Sequence, residues 1–342
     1  MKACVIGASG YTGRELVRLL IGHPKIDLSV VTSRSLDGQP VEKIIPQVVG
    51  LTDGLTFSNP SIDELCTKDN LEIFFLALPH GTAASYAIEL LKAKKKVIDL
   101  SADFRLNSAE TYHEFYGEEH PAKELLLEAQ YGLPELHELN WEKSKLIASP
   151  GCYPTSILIP LAPTLESGLV EESGIVVNSM SGISGAGRNL SEKLLYCERN
   201  ENASAYGLPK HRHLSEIEEQ LSLFSNGQIV LSFHPHLSPM NRGICTTISA
   251  PVCEQTEISE IYEVWQQRYG SCSFVNILPS GTFPETSHVV GSNRIDISAH
   301  IDARTQRFVF CSAEDNLIKG AGGQAIQSMN ICEGFEESTG LL

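Results

Sequence analysis

Ala3-Cys4-Val5-Ile6 is a short apolar run that predicts a strand. It leads into Gly7-Ala8-Ser9-Gly10-Tyr11-Thr12-Gly13. A helix should follow, because Leu16, Val17, Leu19 and Leu20 obey the i, i+3, i+4 rule. A second strand is predicted at 26–31, after Pro24. The apolar run at 71–78 stops at Pro79, and a helical stretch at 82–95 leads to a further strand at 97–100. Strands alternating with helices of this length predict a parallel sheet, and near-continuous apolar runs suit strands covered on both faces.

The pattern changes near residue 150. Strand-like runs dominate at 175–180, 228–233, 244–252, 294–301 and 307–312. Several alternate with period two, as in Arg294-Ile295-Asp296-Ile297-Ser298-Ala299. Residues 316–335 read as helical apart from the opening Gly320-Ala321-Gly322-Gly323. The predicted fold class is therefore α/β. A parallel-sheet domain at 1–150 precedes an α+β domain at 151–315 with a mostly antiparallel mixed sheet. The boundary falls close to Cys152, and clefts commonly form at domain junctions.

Composition narrows the function classes. A net charge of −16 disfavours nucleic acid and anionic membranes as partners. No apolar run approaches the ~18 residues that span a bilayer. The opening residues enter a strand and turn directly, so no leader peptide is expected. Nine scattered cysteines without a CxxC pair argue against a disulfide framework or a zinc knuckle and for a reducing, cytoplasmic setting.

Gly7, Gly10 and Gly13 lie between strand and helix, where a dinucleotide fingerprint belongs. Glycine lets backbone N–H groups approach a pyrophosphate, and the helix N-terminus favours its charge. Ala8 and Ser9 replace the usual middle glycine. Ser9, Tyr11 and Thr12 complete this candidate cofactor loop. At the end of the second strand, NAD readers usually carry a carboxylate; here the chain reads Thr32-Ser33-Arg34-Ser35. Ser33 and Arg34 suit a 2′-phosphate, which favours NADP.

Two segments carry candidate reaction chemistry. Ser149-Pro150-Gly151-Cys152-Tyr153-Pro154-Thr155-Ser156 places a cysteine at a strand-to-helix turn, where the helix dipole favours a thiolate. Pro160 and Pro163 imply that this helix kinks or starts late. Spacing alone leaves Cys152 open between buried filler and nucleophile. His211-Arg212-His213-Leu214-Ser215-Glu216 puts two histidines beside a carboxylate that could fix a tautomer while the other ring nitrogen exchanges protons. No zinc-type spacing joins these groups, so no metal is expected.

These residues resemble one family over essentially the whole chain, the N-acetyl-γ-glutamyl-phosphate reductases, relatives of aspartate-semialdehyde dehydrogenase. The motifs, in order, are the glycine loop, Leu78-Pro79-His80-Gly81, Asp99-Leu100-Ser101-Ala102-Asp103-Phe104-Arg105 and Tyr131-Gly132-Leu133-Pro134-Glu135. The cysteine turn, Ser181-Gly182-Ile183-Ser184-Gly185-Ala186-Gly187-Arg188 and the histidine cluster follow. The last is Asp315-Asn316-Leu317-Ile318-Lys319-Gly320-Ala321-Gly322-Gly323-Gln324. Two positions depart from the family pattern: Ser215 stands where proline is usual, and Ser149 where asparagine is frequent.

The resemblance implies an NADP(H)-dependent enzyme that takes an acyl phosphate, N-acetyl-L-glutamyl 5-phosphate, and releases inorganic phosphate and a semialdehyde. It implies Cys152 as nucleophile and a histidine as acid/base, expected to be His213 for its place near the predicted helix start and the orienting carboxylate Glu216, with His211 in contact with substrate and the reverse assignment open. It makes Ser184, Gly185 and Asn316 candidates near the nicotinamide, Arg105 and Arg188 candidates for anionic groups of substrate or cofactor, and Ser149 a substrate-binding candidate. It also implies that the first domain is a Rossmann-like NADP domain to which a helix at about 316–342 returns, that the second is catalytic and dimerising, and assembly as a homodimer or homotetramer. A lysine-pathway reductase of carrier-bound aminoadipyl phosphate, an aspartate-semialdehyde dehydrogenase, a thiol hydrolase and a non-catalytic NADP sensor or scaffold remain open alternatives.

Overall fold

The computed structural model describes residues 1–138, 141–253 and 256–341; residue 342, the last of the helical segment expected at 316–342, lies outside them. The chain divides into two compact units, Met1–Pro150 with Ala321–Leu342, and Gly151–Gly320.

The first unit is built on seven parallel strands: β1 (Lys2–Ile6), β2 (Asp27–Thr32), β3 (Phe57–Ser58), β4 (Ile73–Leu76), β5 (Lys96–Asp99), β6 (Gln130–Tyr131) and β7 (Leu146–Ala148). Their order is β3-β2-β1-β4-β5-β7-β6, and every pairing is parallel. All of β4 and β7, and β1 after Lys2, are buried, as the continuous apolar runs require. The order reverses between β1 and β4. In open α/β sheets such a switch point is where ligands bind, beyond the carboxyl ends of the strands. Helix α1 (Tyr11–Ile21) leaves β1 there, and α2 (Ala83–Lys92) follows β4. The C-terminal helix is shorter than the expected 316–342, and its glycines do not interrupt it: a π-helical turn at Ile318–Gly322 runs into the helix Gly323–Cys332. Gln324 and Ser328, in the first unit, each donate a side-chain hydrogen bond to Gly132 O at 3.1 Å.

The second unit carries β8 (Val176–Ser181), β9 (Ser204–Ala205), β10 (Ser232–Leu237), β11 (Ile244–Pro251), β12 (Val275–Ile277), β13 (Ile295–Asp302) and β14 (Arg307–Glu314), ordered β12-β13-β14-β11-β8-β10-β9. Pairings of β11 with β14 and β8, β13 with β14, and β10 with β9 are antiparallel; those of β10 with β8 and β12 with β13 are parallel. One boundary moves. The strand expected at 228–233 occupies Ser232–Leu237 instead.

Helix α3 (Cys152–Glu166) is the core of this unit, with every residue from Tyr153 to Leu165 buried. A helix apolar on all sides belongs inside. It packs against β11, β14, α4 (Arg212–Ser222) and α5 (Ile258–Tyr269). The expected kink or late start from Pro160 and Pro163 does not occur; the helix runs unbroken from Cys152. Proline at position i removes the N–H that would bond to the carbonyl at i−4, here those of Ser156 and Ile159. Both carbonyls find side-chain donors: Ser312 Oγ bonds Ser156 O at 2.6 Å, and Tyr269 Oη bonds Ile159 O at 2.6 Å. Trp265 Nε1 adds a bond to Pro160 O at 3.0 Å. Neighbouring elements thus replace what the prolines remove. Tyr269→Phe should leave a buried carbonyl without its donor, costing about 1–3 kcal/mol. It should lower the midpoint of denaturant unfolding; an unchanged midpoint would show that the carbonyl does not depend on this hydroxyl.

Candidate active site

Cys152 is the first residue of α3, and Gly151 is its N-cap. No side chain caps the helix through the Gly151 position. Instead the Gly151 N–H donates to Glu216 Oε1 at 2.8 Å, and Glu216 is 1 % exposed. Glu216 lies on α4, so this bond ties the start of one helix to the body of the other. His211 is the N-cap of α4, its Nδ1 accepting the N–H of His213 at 3.1 Å. That bond leaves the neutral ring with its proton on Nε2. The sequence expectation assigned tautomer control to Glu216; for His211 the backbone N–H of His213 does it.

Tyr153 joins the two clusters. It follows Cys152 in the chain, and its ring meets His211 edge-on at 5.6 Å and His213 at 5.9 Å, while the two histidines stand 5.0 Å apart. Phe233 and Tyr206 close around His211 at 5.5 and 5.4 Å. Burial first, and Arg212 second, push His211 down to about 4, so it is neutral in the physiological range. Tyr206 Oη donates to Tyr153 Oη at 2.9 Å, and Tyr153 Oη to His236 O at 3.4 Å. Burial pushes Tyr206 up to about 12, the field of Cys152 adding to the rise, and burial raises Tyr153 as well. Both phenols therefore stay protonated. Sequence reading missed this tyrosine pair, because Tyr206 lies 53 residues from Tyr153; its only local signal was the aromatic residue beside the cysteine.

The cofactor loop lies in the first unit. Gly7 has φ +87°, and a methyl group there would come within 2.3 Å of Ala77 O, so β1 and β4 approach too closely for any side chain. Gly10, N-cap of α1, is different: a methyl group would meet nothing nearer than Gly7 O at 3.8 Å. The open space before an uncapped helix, with no acidic residue in its first turn, fits the pyrophosphate of a dinucleotide. The loop is tied to β2 by Gly7 N–H to Thr32 Oγ1 at 3.2 Å and Ala8 N–H to Thr32 O at 2.9 Å. Ser33 is buried with Oγ 3.4 Å from Ser35 Oγ, whereas Arg34 is exposed.

The other predicted residues divide between the units. Arg105 is only 9 % exposed; its Nη2 donates to Leu100 O at 2.8 Å, and its charge offsets Asp99, whose carboxyl is raised by burial and by Asp103. Asp103, missed from sequence, accepts Gly81 N–H at 2.7 Å, Ala84 N–H at 2.9 Å and Tyr112 Oη–H at 3.0 Å, holding the start of α2. Ser149 is 1 % exposed, with its N–H on Asp99 O at 2.8 Å. In the second unit Asn316 donates to Ser184 Oγ at 3.0 Å and accepts Gly243 N–H at 2.8 Å. Its amide thereby fixes the loop that presents Gly185. Arg188, in the same loop, is exposed.

Residues 2–144 match the semialdehyde dehydrogenase NAD binding domain, and residues 152–316 the semialdehyde dehydrogenase dimerisation domain. An N-acetyl-gamma-glutamyl-phosphate reductase of Akkermansia muciniphila is 47% identical over 100% of this chain and 98% of its own length. Those of Desulfotalea psychrophila and Desulforamulus reducens are 47% and 44% identical, again over 100% of this chain and 98% of their own. The chain belongs to the N-acetyl-γ-glutamyl-phosphate reductase family. Among solved structures, aspartate semialdehyde dehydrogenase II of Vibrio cholerae, complexed with ASA, superposes with a TM-score of 0.72 at 15% identity, covering 97% of this chain and 98% of that one. An aspartate semialdehyde dehydrogenase with NADP from Candida albicans gives 0.66 at 14% identity, covering 97% and 98%. These structures share the two-domain α/β fold predicted from sequence.

For this family member, the half-buried His211 makes a pH-dependent contribution to stability. Its folded value of about 4 lies below the ordinary 6.5, so as pH falls through that window the unfolded chain takes up the proton first. Stability is lost on acidification, by up to about 3 kcal/mol from this group. His211→Gln should flatten the loss measured by denaturant unfolding between about pH 6.5 and pH 4. An equal or steeper loss would contradict the assignment.

Proposed function

We propose that the chain catalyses the reductive dephosphorylation of N-acetyl-L-glutamyl 5-phosphate to N-acetyl-L-glutamate 5-semialdehyde, with Cys152 as nucleophile. The carrying observation is that Cys152 opens α3 immediately before Tyr153, whose ring contacts both histidines. Cys152 Sγ attacks the acyl carbon, the bond from that carbon to the phosphate oxygen breaks, and inorganic phosphate leaves a thioester behind. The N-terminus of α3 favours the negative charge that develops on sulfur. NADPH, when bound, supplies the hydride that converts a thioester to an aldehyde.

His213 takes the thiol proton in this scheme. His211, neutral and carrying its proton on Nε2, is suited instead to donate a hydrogen bond to the carbonyl oxygen as charge builds there. Glu216 acts through the Gly151 amide, holding the cysteine turn in place. Arg188 and Arg105 are assigned to anionic groups of the substrate, Arg105 through its place beside Asp99 and Leu100 O. Ser149, whose Oγ is buried, would support that site from within. Ser184, Gly185 and Asn316 form the loop assigned to the nicotinamide. Gly7, Ser9, Gly10, Tyr11, Thr12 and Gly13 cradle the pyrophosphate, and Ser33 with exposed Arg34 takes the 2′-phosphate that selects NADP.

A homodimer or homotetramer is supported by the match to a dimerisation domain. A cytoplasmic setting is our reading of nine scattered cysteines without a CxxC pair; among the described residues no helix is long and apolar enough to cross a membrane. The test is NADP reduction by N-acetylglutamate semialdehyde and phosphate, with arsenate replacing phosphate as control. Cys152→Ser and Cys152→Ala should lose this activity by at least about 10³-fold while still binding NADP, and His213→Asn should lose about 10²-fold or more. Turnover near wild type in either cysteine variant would refute the nucleophile.

A further inference from the structure

Tyr206 is 38 % exposed, whereas Tyr153 and Phe233, the other aromatic residues around His211, are buried. The scheme above gives it no part. It follows β9, a strand of two residues that pairs with β10 through Ala205 opposite His236 and Ser204 opposite Leu237. Arg199 holds this strand, Nη1 and Nη2 donating to Ser204 Oγ at 3.2 and 3.3 Å, and Tyr206 N–H donates to Pro235 O at 3.1 Å. So short a strand adds little stability of its own. Its effect is to fix where Tyr206 leaves the sheet.

That place is against His211. The rings of Tyr153, Tyr206 and Phe233 stand at 89°, 79° and 87° to the imidazole, all edge-on. Gly207 closes the enclosure. It has φ +63°, and a methyl group there would lie 2.9 Å from His211 Cδ2 and 3.5 Å from Cβ and Cγ. Only glycine takes up that conformation at that distance. With the backbone against Cδ2 and Nδ1 bonded to the His213 N–H, the imidazole is held against turning about Cβ–Cγ. The direction of its Nε2–H is thereby set. The Tyr206 hydroxyl, donating to Tyr153 Oη at 2.9 Å, ties this outer wall to the residue that follows Cys152.

We propose that Tyr206 is a positioning residue for the reaction: its ring holds His211 so that the Nε2–H is aimed where the carbonyl oxygen gains charge. This rests on the reading of His211 as donor to that oxygen. Burial keeps Tyr206 and Tyr153 protonated, so the wall adds no charge beside the neutral imidazole. A donor fixed before the substrate arrives has no rotation left to lose as the transition state forms. An aliphatic side chain would fill the space but offer no ring to meet the imidazole edge-on, so leucine separates positioning from filling.

The experiment uses the full-length protein with isotope-labelled histidine, the His211 signals being assigned by their loss in His211→Gln. NMR of the imidazole nitrogens near neutral pH reads the tautomer, and NADP reduction by N-acetylglutamate semialdehyde and phosphate gives kcat and KM. Tyr206→Leu should lower kcat by about tenfold or more, leave KM for the semialdehyde within about threefold, and replace the single Nε2–H tautomer with a mixture. Tyr206→Phe, which keeps the ring, should keep the tautomer and hold kcat within about threefold of wild type. A folded Tyr206→Leu protein with wild-type kcat, or with slower turnover and an intact Nε2–H tautomer, overturns the proposal. So does a Tyr206→Phe protein as slow as Tyr206→Leu. Should Tyr206→Leu not fold, the other two proteins decide. A single Nε2–H tautomer in wild type, kept in a fully active Tyr206→Phe, supports the proposal, and a mixture in either overturns it. Undiminished turnover by His211→Gln would sink the reading of His211 as donor instead, and leave the tautomer comparison standing.

Discussion

One hydrogen bond, from the Gly151 N–H to the buried carboxylate of Glu216, holds the candidate catalytic geometry together. Four N–H groups at the start of a buried helix have no partner within the helix. At α3 the residue before the helix is glycine, which has no side chain to offer. Glu216 supplies a charged acceptor from α4, and in doing so fixes the histidine-bearing end of α4 relative to the cysteine. A charge-assisted bond away from water is strong and costly to break. The ring cluster of Tyr153, Tyr206, His211, His213 and Phe233 then fills the space around that joint, and its burial keeps His211 neutral.

The same helix shows how a core element tolerates two prolines. Ser156 and Ile159 carbonyls would be orphans in an isolated helix, and their donors come from β14 and α5. The position of Cys152 at the head of α3 thus depends on residues more than 100 places away. Gly320 belongs to the same logic: a methyl group there would lie 2.7 Å from Cys152 Cβ, so the turn after β14 packs directly on the start of α3.

Much of this was legible in the sequence. Continuous apolar runs marked β1, β4 and β5, and the glycine spacing marked the α1 N-terminus, because both signals are local. Period-two alternation located β11, β13 and β14 within a residue or two. Two-residue strands such as β3, β6 and β9 carry no periodicity and were not seen. Residues 228–231 look strand-like because Ile229 and Leu231 are buried, yet pairing begins only at Ser232. Pro160 and Pro163 pointed to a broken helix because their compensation lies in distant residues. Asp103 and Tyr206 stayed hidden for that reason too: each bonds a partner remote in sequence. Cys152 itself was undecidable from spacing, and the order of motifs along the chain singled it out.

The most direct test of the central claim is to catch the thioester. The protein would be mixed with N-acetylglutamyl phosphate in the absence of nucleotide, quenched in acid and digested for mass spectrometry. About one equivalent of phosphate should be released per active site, with an N-acetylglutamyl group on the peptide that contains Cys152. Phosphate release without that adduct, or an adduct on another of the nine cysteines, would contradict it.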